Sequence, residues 1–324
     1  MSHTVAVCQE LSNLSEWKDT TEEEKYILTL AAILHDVGKP RVTIRQGDRI
    51  TSAKHTIVGA RMARKILSNI GIDYKIRDRI VRLVRYHTAP PHIVRSDSPQ
   101  QRTIALSWRV EVRLLYMLAL ADAMGRKSKD KQEYVEWIKL WKILCDENNC
   151  FDHPFPFAND HARFLFFRDE LSSIHYAPHE DYSCEVTLMV GLPGAGKDGW
   201  CTENCPELPV ISLDAVRREL GISPSDNQGR VVQEAKARAR FLLRAGTSFV
   251  FNATNTVRAT RRRWIDLFHQ YKAKIKIVYV ELPMDHILKQ NRKRSCPVPE
   301  EVTVKLFNRL DVPDLTECHE IIFA

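Results

Sequence analysis

Val186-Thr187-Leu188-Met189-Val190-Gly191-Leu192-Pro193-Gly194-Ala195-Gly196-Lys197 runs from an apolar, β-branched segment into a glycine turn that ends on a lysine. A short apolar run bounded by glycine suits a strand buried on both faces, as parallel sheets require. The spacing Gly191-x-x-x-x-Gly196-Lys197 has a mechanical logic. Glycines let successive backbone N–H groups turn toward one point, and a helix starting at the lysine adds the partial positive charge of its N-terminus. Gly191, Leu192, Pro193, Gly194, Ala195, Gly196 and Lys197, followed by Asp198 and Gly199, are therefore the expected cradle for ATP or another nucleoside triphosphate with Mg²⁺. Lys197 is expected between the β- and γ-phosphates.

Downstream the strand pattern repeats. Val210-Ile211-Ser212-Leu213, Ser248-Phe249-Val250-Phe251 and Ile275-Lys276-Ile277-Val278-Tyr279-Val280 alternate with helical segments, so residues 184–324 are expected to form an α/β domain with a parallel sheet. Asp214 follows the second strand and Arg217 lies one helical turn on. A carboxylate there can take the proton of an acceptor hydroxyl, and the guanidinium can hold a phosphate of the same acceptor. Asn291-Arg292-Lys293-Arg294 follows the fourth strand and a short helix, where a lid brings arginines to the transferring phosphoryl group; Arg292 and Arg294 are the candidates.

The metal side departs from the usual pattern. Asp198 stands where a Ser or Thr ordinarily ligates Mg²⁺, and Asn252 stands where an acidic residue often ends the strand. Asp198 is a hard-oxygen ligand for Mg²⁺; Asn252 brings no charge. Arg258, Arg261, Arg262 and Arg263 beside Trp264 suit either a nucleic-acid backbone or a charged helix face. Taken together, the glycine loop, Asp214-x-x-Arg217, Asn252-Ala253-Thr254-Asn255 and the Arg292/Arg294 segment resemble the 5′-hydroxyl polynucleotide kinases of the P-loop class.

The first 150 residues read differently. Glu22 to Leu34, Ile57 to Leu67, Ile76 to Tyr86 and Val110 to Met124 carry helical periodicity, and Thr43-Ile44-Arg45 and Arg49-Ile50-Thr51 flank Gln46-Gly47-Asp48 as a small hairpin. Histidines and aspartates mark the helix ends. His35-Asp36 closes one apolar helix, His55 opens the next, His87 ends another, and Asp122 lies in the most apolar one. His3 precedes them all, on a helix expected to begin upstream of residue 1. A lone histidine is more often structural than ligating, so the specificity lies in the frame. That frame resembles the HD superfamily of metal phosphohydrolases, which implies an all-α domain with His3, His35, Asp36, His55, His87 and Asp122 as ligands and Asp36 bridging two ions. Imidazole with carboxylate suits Mn²⁺, Fe²⁺, Co²⁺, Ni²⁺ or Zn²⁺ better than Mg²⁺. Lys39 and Arg126, each close in sequence to a ligand, are candidates for contacting substrate phosphate.

The bulk numbers set bounds. At 324 residues, with roughly 100–200 residues per domain, two domains are expected. They are a helical domain over 1–150, an aromatic and proline-punctuated connector over 151–183, and the α/β domain over 184–324. With 44% hydrophobic and 27% charged residues the composition is that of a globular protein, and no apolar run approaches the ~18–20 residues of a membrane span. The eight cysteines form no Cys-x-x-Cys pair and no secretory signal opens the chain, so a cytoplasmic location with reduced thiols is expected. A net charge of +7 permits nucleic acid as a partner without requiring it.

A helical HD-type domain followed by a P-loop kinase resembles the bacterial HD-Pnk end-healing enzymes along essentially the whole chain. The resemblance implies a phosphoesterase that clears 2′,3′-cyclic, 2′- or 3′-phosphate from RNA or DNA ends and a kinase that phosphorylates the 5′-hydroxyl, with a separate ligase sealing afterwards. Gly199 departs from the Gly-Lys-Asp-Thr of that group and lacks its hydroxyl. Two other readings of the residues stay open: a nucleoside or nucleotide kinase fused to an HD nucleotide phosphohydrolase, and a nucleotide sensor that binds without transferring.

Overall fold

The computed structural model describes residues 3–47, 49–223, 226–294 and 296–324. The chain divides into two compact units, the first ending at Pro156 and the second beginning at Phe157. Of the aromatic stretch 151–183, the part from Phe157 on thus belongs to the second unit. That stretch carries its own short helix, whose Phe164 is buried in that unit's core.

The first unit is helical: α1 His3–Asn13, α2 Glu22–Leu34, α3 Lys39–Val42, α4 His55–Asn69, α5 Tyr74–Tyr86, α6 Ala89–Val94, α7 Pro99–Ser107, α8 Val112–Met124 and α9 Lys131–Glu147. An antiparallel hairpin, β1 Ile44–Gln46 with β2 Arg49–Thr51, interrupts it in the expected place. Asp48 of its anticipated turn lies outside the described residues. Local sequence explains the helix limits. Thr21 and Glu24 form a reciprocal capping box that satisfies two free N–H groups at the start of α2. Asp73 caps α5. Helix α8 is the core of the unit: nearly all of it is buried, and it packs against α1, α2, α5 and α9. Asp122 is the one charged side chain among its buried residues.

The second unit begins with α10 Asp160–Phe166 and alternates β3 Cys184–Val190, α11 Lys197–Asn204, β4 Val210–Ser212, α12 Leu213–Glu219, α13 Gly229–Arg244, β5 Phe249–Asn252, α14 Arg258–His269, β6 Ala273–Tyr279, α15 Met284–Arg292, α16 Glu300–Asn308 and β7 Glu320–Phe323. All pairings are parallel, in the order β4-β5-β3-β6-β7. The last strand, β7, extends the sheet beyond the four strands legible in the sequence. β3 lies at the centre, and β5 is buried throughout. The chain leaves β3 for one side of the sheet and later returns to the other. Such a switch point opens a crevice at the carboxyl ends of the strands. The glycine loop, Asp214 and α15 follow carboxyl ends, and Asn252 is itself the last residue of β5. Among the described residues no helix is long and apolar enough to cross a membrane.

Candidate active sites

In the first unit the predicted ligands converge. His35 and His87 sit at the C-caps of α2 and α5, His55 is the first residue of α4, His3 the first of α1, and Asp122 lies near the end of α8. Lys54, just before His55, takes a left-handed conformation (φ 63°) that turns the chain into α4. A non-glycine residue in that region is strained, and such strain collects at functional sites.

Each histidine is held the same way. The Nδ1 atoms of His35, His55, His87 and His3 face the backbone carbonyls of Ala32, Ser52, Val84 and Gly125 at 2.7, 2.9, 2.9 and 3.3 Å. With Nδ1 donating to a carbonyl, Nε2 of His55 and His87 is left as the lone-pair atom facing the centre, the arrangement that metal-binding histidines use, whereas His3 Nε2 donates to Asp122 Oδ1, a contact that raises the His3 pKa. His35 Nε2 lies 3.3 Å from Asp36 Oδ2, and His3 Nε2 lies 3.8 Å from it. His55 Nε2 and His87 Nε2 lie 3.7 and 3.8 Å from Asp36 Oδ1. Two three-residue groups, His3–His35–Asp36 and Asp36–His55–His87, therefore share the Asp36 carboxylate. Asp122 Oδ1 adds to the first group, 2.9 Å from His3 and 3.7 Å from His35.

Asp36 Oδ1 and His55 Nε2 are buried yet have no hydrogen-bond partner. Leaving two such atoms unbonded is costly, and a cation between them would satisfy both. The donor set of four imidazoles and two carboxylates thus fits one or two divalent transition-metal ions. The electrostatics agree. Burial disfavours charge on Asp36 and Asp122, but His35 and Lys39 around the first, and His3 and Arg126 around the second, hold both well below the usual carboxylate range. Burial pushes His87 down to about 4, so it is neutral and able to ligate.

Lys39 Nζ and Arg126 Nη2 each bond the second oxygen side of these carboxylates, Asp36 Oδ2 and Asp122 Oδ2, both at 2.6 Å. The two cations therefore orient the carboxylates. Arg126 is itself stacked on the Tyr134 ring at 4.6 Å, a contact from α9 that no motif announces. His92 is exposed and 3.4 Å from Arg95; partial burial, then the charges of Arg95 and Arg126, lower its pKa.

In the second unit Pro193, Lys197, Asp198, Asp214, Arg217, Asn252 and Arg294 line one cavity of about 230 Å³. Gly194 (φ 81°) has no room for a side chain: a Cβ would stand 2.8 Å from the Ile287 carbonyl oxygen of α15. The loop thus needs glycine to pass that helix. Lys197 is buried, and its Nζ donates to the Gly191 and Leu192 carbonyls at 3.0 and 2.8 Å. Burial pushes its pKa down to about 8, a cost that a bound polyphosphate would relieve. Asp198 Oδ1 accepts from Asn252 Nδ2 at 2.6 Å, so the two departures from the common pattern meet each other. The position a Gly199 side chain would take is open.

Asp214 stands between two arginines. Arg217 pairs with one of its oxygens and Arg294 Nη2 reaches the other at 3.1 Å, across the cavity mouth. Gln228, which the sequence did not single out, accepts from Arg217 Nε at 2.6 Å and fixes its direction. Arg292 does not join them. Its guanidinium is engaged by Glu300 at 2.6 Å and is absent from the cavity lining. Of the arginine cluster on α14, Arg262 and Arg263 are exposed, whereas Arg258 and Arg261 are taken up within the fold. Arg261 is fully buried and forks onto Glu317 at 2.9 and 2.8 Å, Trp264 is buried beside Phe251, and Arg258 bonds Asp314 and Thr316. These residues hold the C-terminal segment in place.

Comparison with known proteins agrees with this division. The family described as the HD domain matches residues 1–123, and that described as the AAA domain matches residues 186–312. The chain is also similar to Heterogeneous nuclear ribonucleoprotein U-like protein 2 of Homo sapiens, 24% identical over 184 residues that cover 49% of this chain and 24% of that protein. The chain thus spans about a quarter of the length of this relative. An N-terminal HD domain is therefore joined to a C-terminal kinase-like P-loop domain with a five-stranded parallel sheet.

Proposed function

We propose that the chain is a bifunctional nucleic-acid end-healing enzyme of the HD-Pnk type. The observation that carries this reading is Arg217 paired to Asp214 beside the glycine-loop cavity. A carboxylate alone suffices as base for any hydroxyl acceptor. An arginine fixed within hydrogen-bond reach of that base suits an acceptor whose hydroxyl lies next to a phosphate, as a 5′-hydroxyl lies next to the 3′-phosphodiester in a polynucleotide. The similarity to a ribonucleoprotein-like protein points the same way.

In the kinase half the nucleoside triphosphate enters as its Mg²⁺ complex, with Lys197 drawn from its loop carbonyls to the β- and γ-phosphates and Asp198 on the metal side. The acceptor phosphate takes Arg217, which frees Asp214 to accept the 5′-hydroxyl proton. The 5′ oxygen bonds the γ-phosphorus as the bond to the β–γ bridging oxygen breaks, and the nucleoside diphosphate leaves. Arg294 neutralises the group in transfer. In the HD half, His3, His35, Asp36, His55, His87 and Asp122 would hold the metal ions. These supply Lewis-acid activation of water and charge neutralisation at phosphorus. Lys39 and Arg126 orient the carboxylates and meet the phosphate oxygens. Water first opens a 2′,3′-cyclic ester to a monoester, and a second hydrolysis releases inorganic phosphate and a free hydroxyl.

One RNA bearing a 5′-hydroxyl and a 2′,3′-cyclic phosphate tests both halves when incubated with ATP, Mg²⁺ and Mn²⁺ or Ni²⁺. The expected product carries a 5′-phosphate and a free 3′ end. Asp214→Ala should lose 5′ phosphorylation by about 10²–10⁴-fold and keep the phosphoesterase. Full kinase activity in Asp214→Ala would overturn the base assignment. Labelling of nucleosides but not RNA would favour the small-molecule kinase, and nucleotide binding without transfer would favour the sensor.

A further inference from the structure

The solvent face of α13 combines basic and aromatic side chains that nothing else in the fold uses. Its inward stripe is Val231, Ala235, Ala239 and Leu243, all buried at four-residue spacing. The opposite face carries Arg230, Gln233, Ala237, Phe241 and Arg244, all exposed, with Arg240 half-buried at its edge. Phe241 is 73% exposed, the most open of the large apolar side chains described. An aromatic so placed contributes nothing to the core, and single-strand binders present such side chains to bases.

Charge on this face is one-sided. The nearest acid on the helix, Glu234, is taken by Arg238 at 2.8 Å, and Glu219 of α12 is paired to the same arginine. Arg230, Arg240 and Arg244 make no salt bridge among the described residues. Arg230 and Arg244 lie on one line, fourteen residues and about 21 Å apart along the axis at ~1.5 Å per residue. The stripe also starts in the right place. Gln228, the N-cap residue just before α13, is the one that holds Arg217 beside Asp214.

We infer that this face of α13 is a single-strand nucleic-acid track, on which the nucleotides following the acceptor 5′ end lay their phosphates on Arg230, Arg240 and Arg244 and one base on Phe241. The inference rests on the kinase reading for its direction, since the acceptor end is at Arg217. Its charge and aromatic pattern stand on their own. Charge complementarity selects a polyanion, and the lone aromatic between arginines selects one with exposed bases rather than a paired duplex.

The test is equilibrium binding of a fluorescent 5′-hydroxyl 10-mer RNA to the full chain without nucleotide, across a salt series. Arg230→Gln/Arg240→Gln/Arg244→Gln should weaken binding by tenfold or more. Losing three phosphate contacts at ~0.7 ion each should also flatten the slope of log Kd against log salt by about 2. Phe241→Ala should cost about tenfold, and Phe241→Trp should keep affinity. In kinase assays the advantage of the 10-mer over a dinucleotide should collapse in the triple variant. Unchanged affinity and salt slope in a triple variant that melts like wild type would overturn the track, as would failure of the wild type to bind the 10-mer at low salt. Should wild type bind as described yet phosphorylate no acceptor, the kinase reading fails and the track stands. Should it phosphorylate a dinucleotide but bind the 10-mer no better than the variants do, the track fails alone.

Discussion

Replacing Gly38 with alanine should dismantle the metal cluster through one methyl group that touches no ligand side chain. Gly38 follows His35-Asp36 by two residues and packs against the first turns of α4. A Cβ on Gly38 would stand 2.2 Å from the His55 carbonyl oxygen, 2.6 Å from Gly59 N and 2.9 Å from Gly59 Cα, all of it backbone. To reach even 3.0 Å, a distance real contacts hardly undercut, the two segments must part by about 0.8 Å. One segment carries Asp36 and the other His55, so whichever moves, Asp36 Oδ1 and His55 Nε2 separate. Metal–ligand distances tolerate about ±0.2 Å, so the displacement is several times what the Asp36–His55–His87 group can absorb. Loss of at least 10–100-fold in affinity for the ion held there is expected, with about 10²-fold in phosphoesterase rate. Overpacking should cost about 1–3 kcal/mol in stability. Gly59→Ala is the matched control: its Cβ would meet Gly38 N at 3.4 Å and Val84 Cγ1 at 3.5 Å, ordinary contacts. Calorimetric titration of metal-free protein with Mn²⁺, run beside 2′,3′-cyclic phosphate hydrolysis, reads the effect, with kinase activity of the same sample as internal standard. A Gly38→Ala protein with wild-type Mn²⁺ affinity and stoichiometry would refute the reasoning.

Three further outcomes follow from particular contacts. Asn252→Ala removes a hydrogen bond to a carboxylate, worth about 1.5–3 kcal/mol, and should raise the KM for Mg·ATP about tenfold or more. Asn252→Asp puts two carboxylates where one pair now meets at 2.6 Å, so it should be worse than alanine at low Mg²⁺ and recover at high Mg²⁺. No Mg²⁺ dependence in either variant would separate Asn252 from the metal side. His319 is buried, accepts from Ile275 N at 2.9 Å, and is pushed down to about 3, chiefly by burial. Its unfolded counterpart titrates near 6.5, so as pH falls from about 6.5 toward 3 the unfolded chain gains a proton the folded one refuses. Stability should drop by up to ~1.4 kcal/mol per pH unit there and be flat in this respect above 6.5. His319→Asn should reduce that slope, measured as the urea midpoint for proteolysis of second-unit fragments; an equal slope in both proteins would exclude His319 as its source. Arg261→Met removes the forked partner of the buried Glu317, leaving Arg258 at 4.0 Å, and takes a donor from the Asn255 and Asp311 carbonyls; it should cost about 3–5 kcal/mol in thermal unfolding, part of it recovered in Arg261→Met/Glu317→Leu. A single-variant cost under about 1 kcal/mol, the size of an exposed pair, would contradict the burial argument.

Local order was readable wherever residues near in sequence carry it. The strand before Gly191, the helices ending at His35 and His87 and the hairpin at Ile44–Thr51 all follow from periodicity and turn chemistry. What escaped depends on partners far along the chain. Arg261 shares a helix face with Trp264 and Phe268, so spacing alone points it inward. That an arginine tolerates such a place depends on Glu317, fifty-six residues later, and no local pattern announces that partner. Arg292 and Arg294 are two residues apart and look equivalent. Only the fold shows that one faces Glu300 and the other Asp214. Gln228 and Tyr134 carry no motif at all and matter through the arginines they hold.

The metal side of the glycine loop shows how such long-range pairing alters the meaning of a sequence. Taken singly, Asp198 looks like an intruder in a loop built for anions, and Asn252 looks like a lost carboxylate. Fifty-four positions apart, they meet at 2.6 Å. The common arrangement sets a neutral hydroxyl at the start of the helix against a carboxylate at the end of the strand. Here a carboxylate starts α11 and a neutral amide ends β5, so the pair keeps one negative charge and one neutral hydrogen-bonding group while exchanging their places. Asn252 donates to one oxygen of Asp198, itself part of the cavity lining, whereas a second carboxylate in its place would repel the first. The charge a divalent cation requires is therefore still present, displaced from strand to helix, and the exchange works only if both positions change together. That coupling is why Asn252→Asp, which by itself restores the commoner residue, is expected to do more harm than alanine.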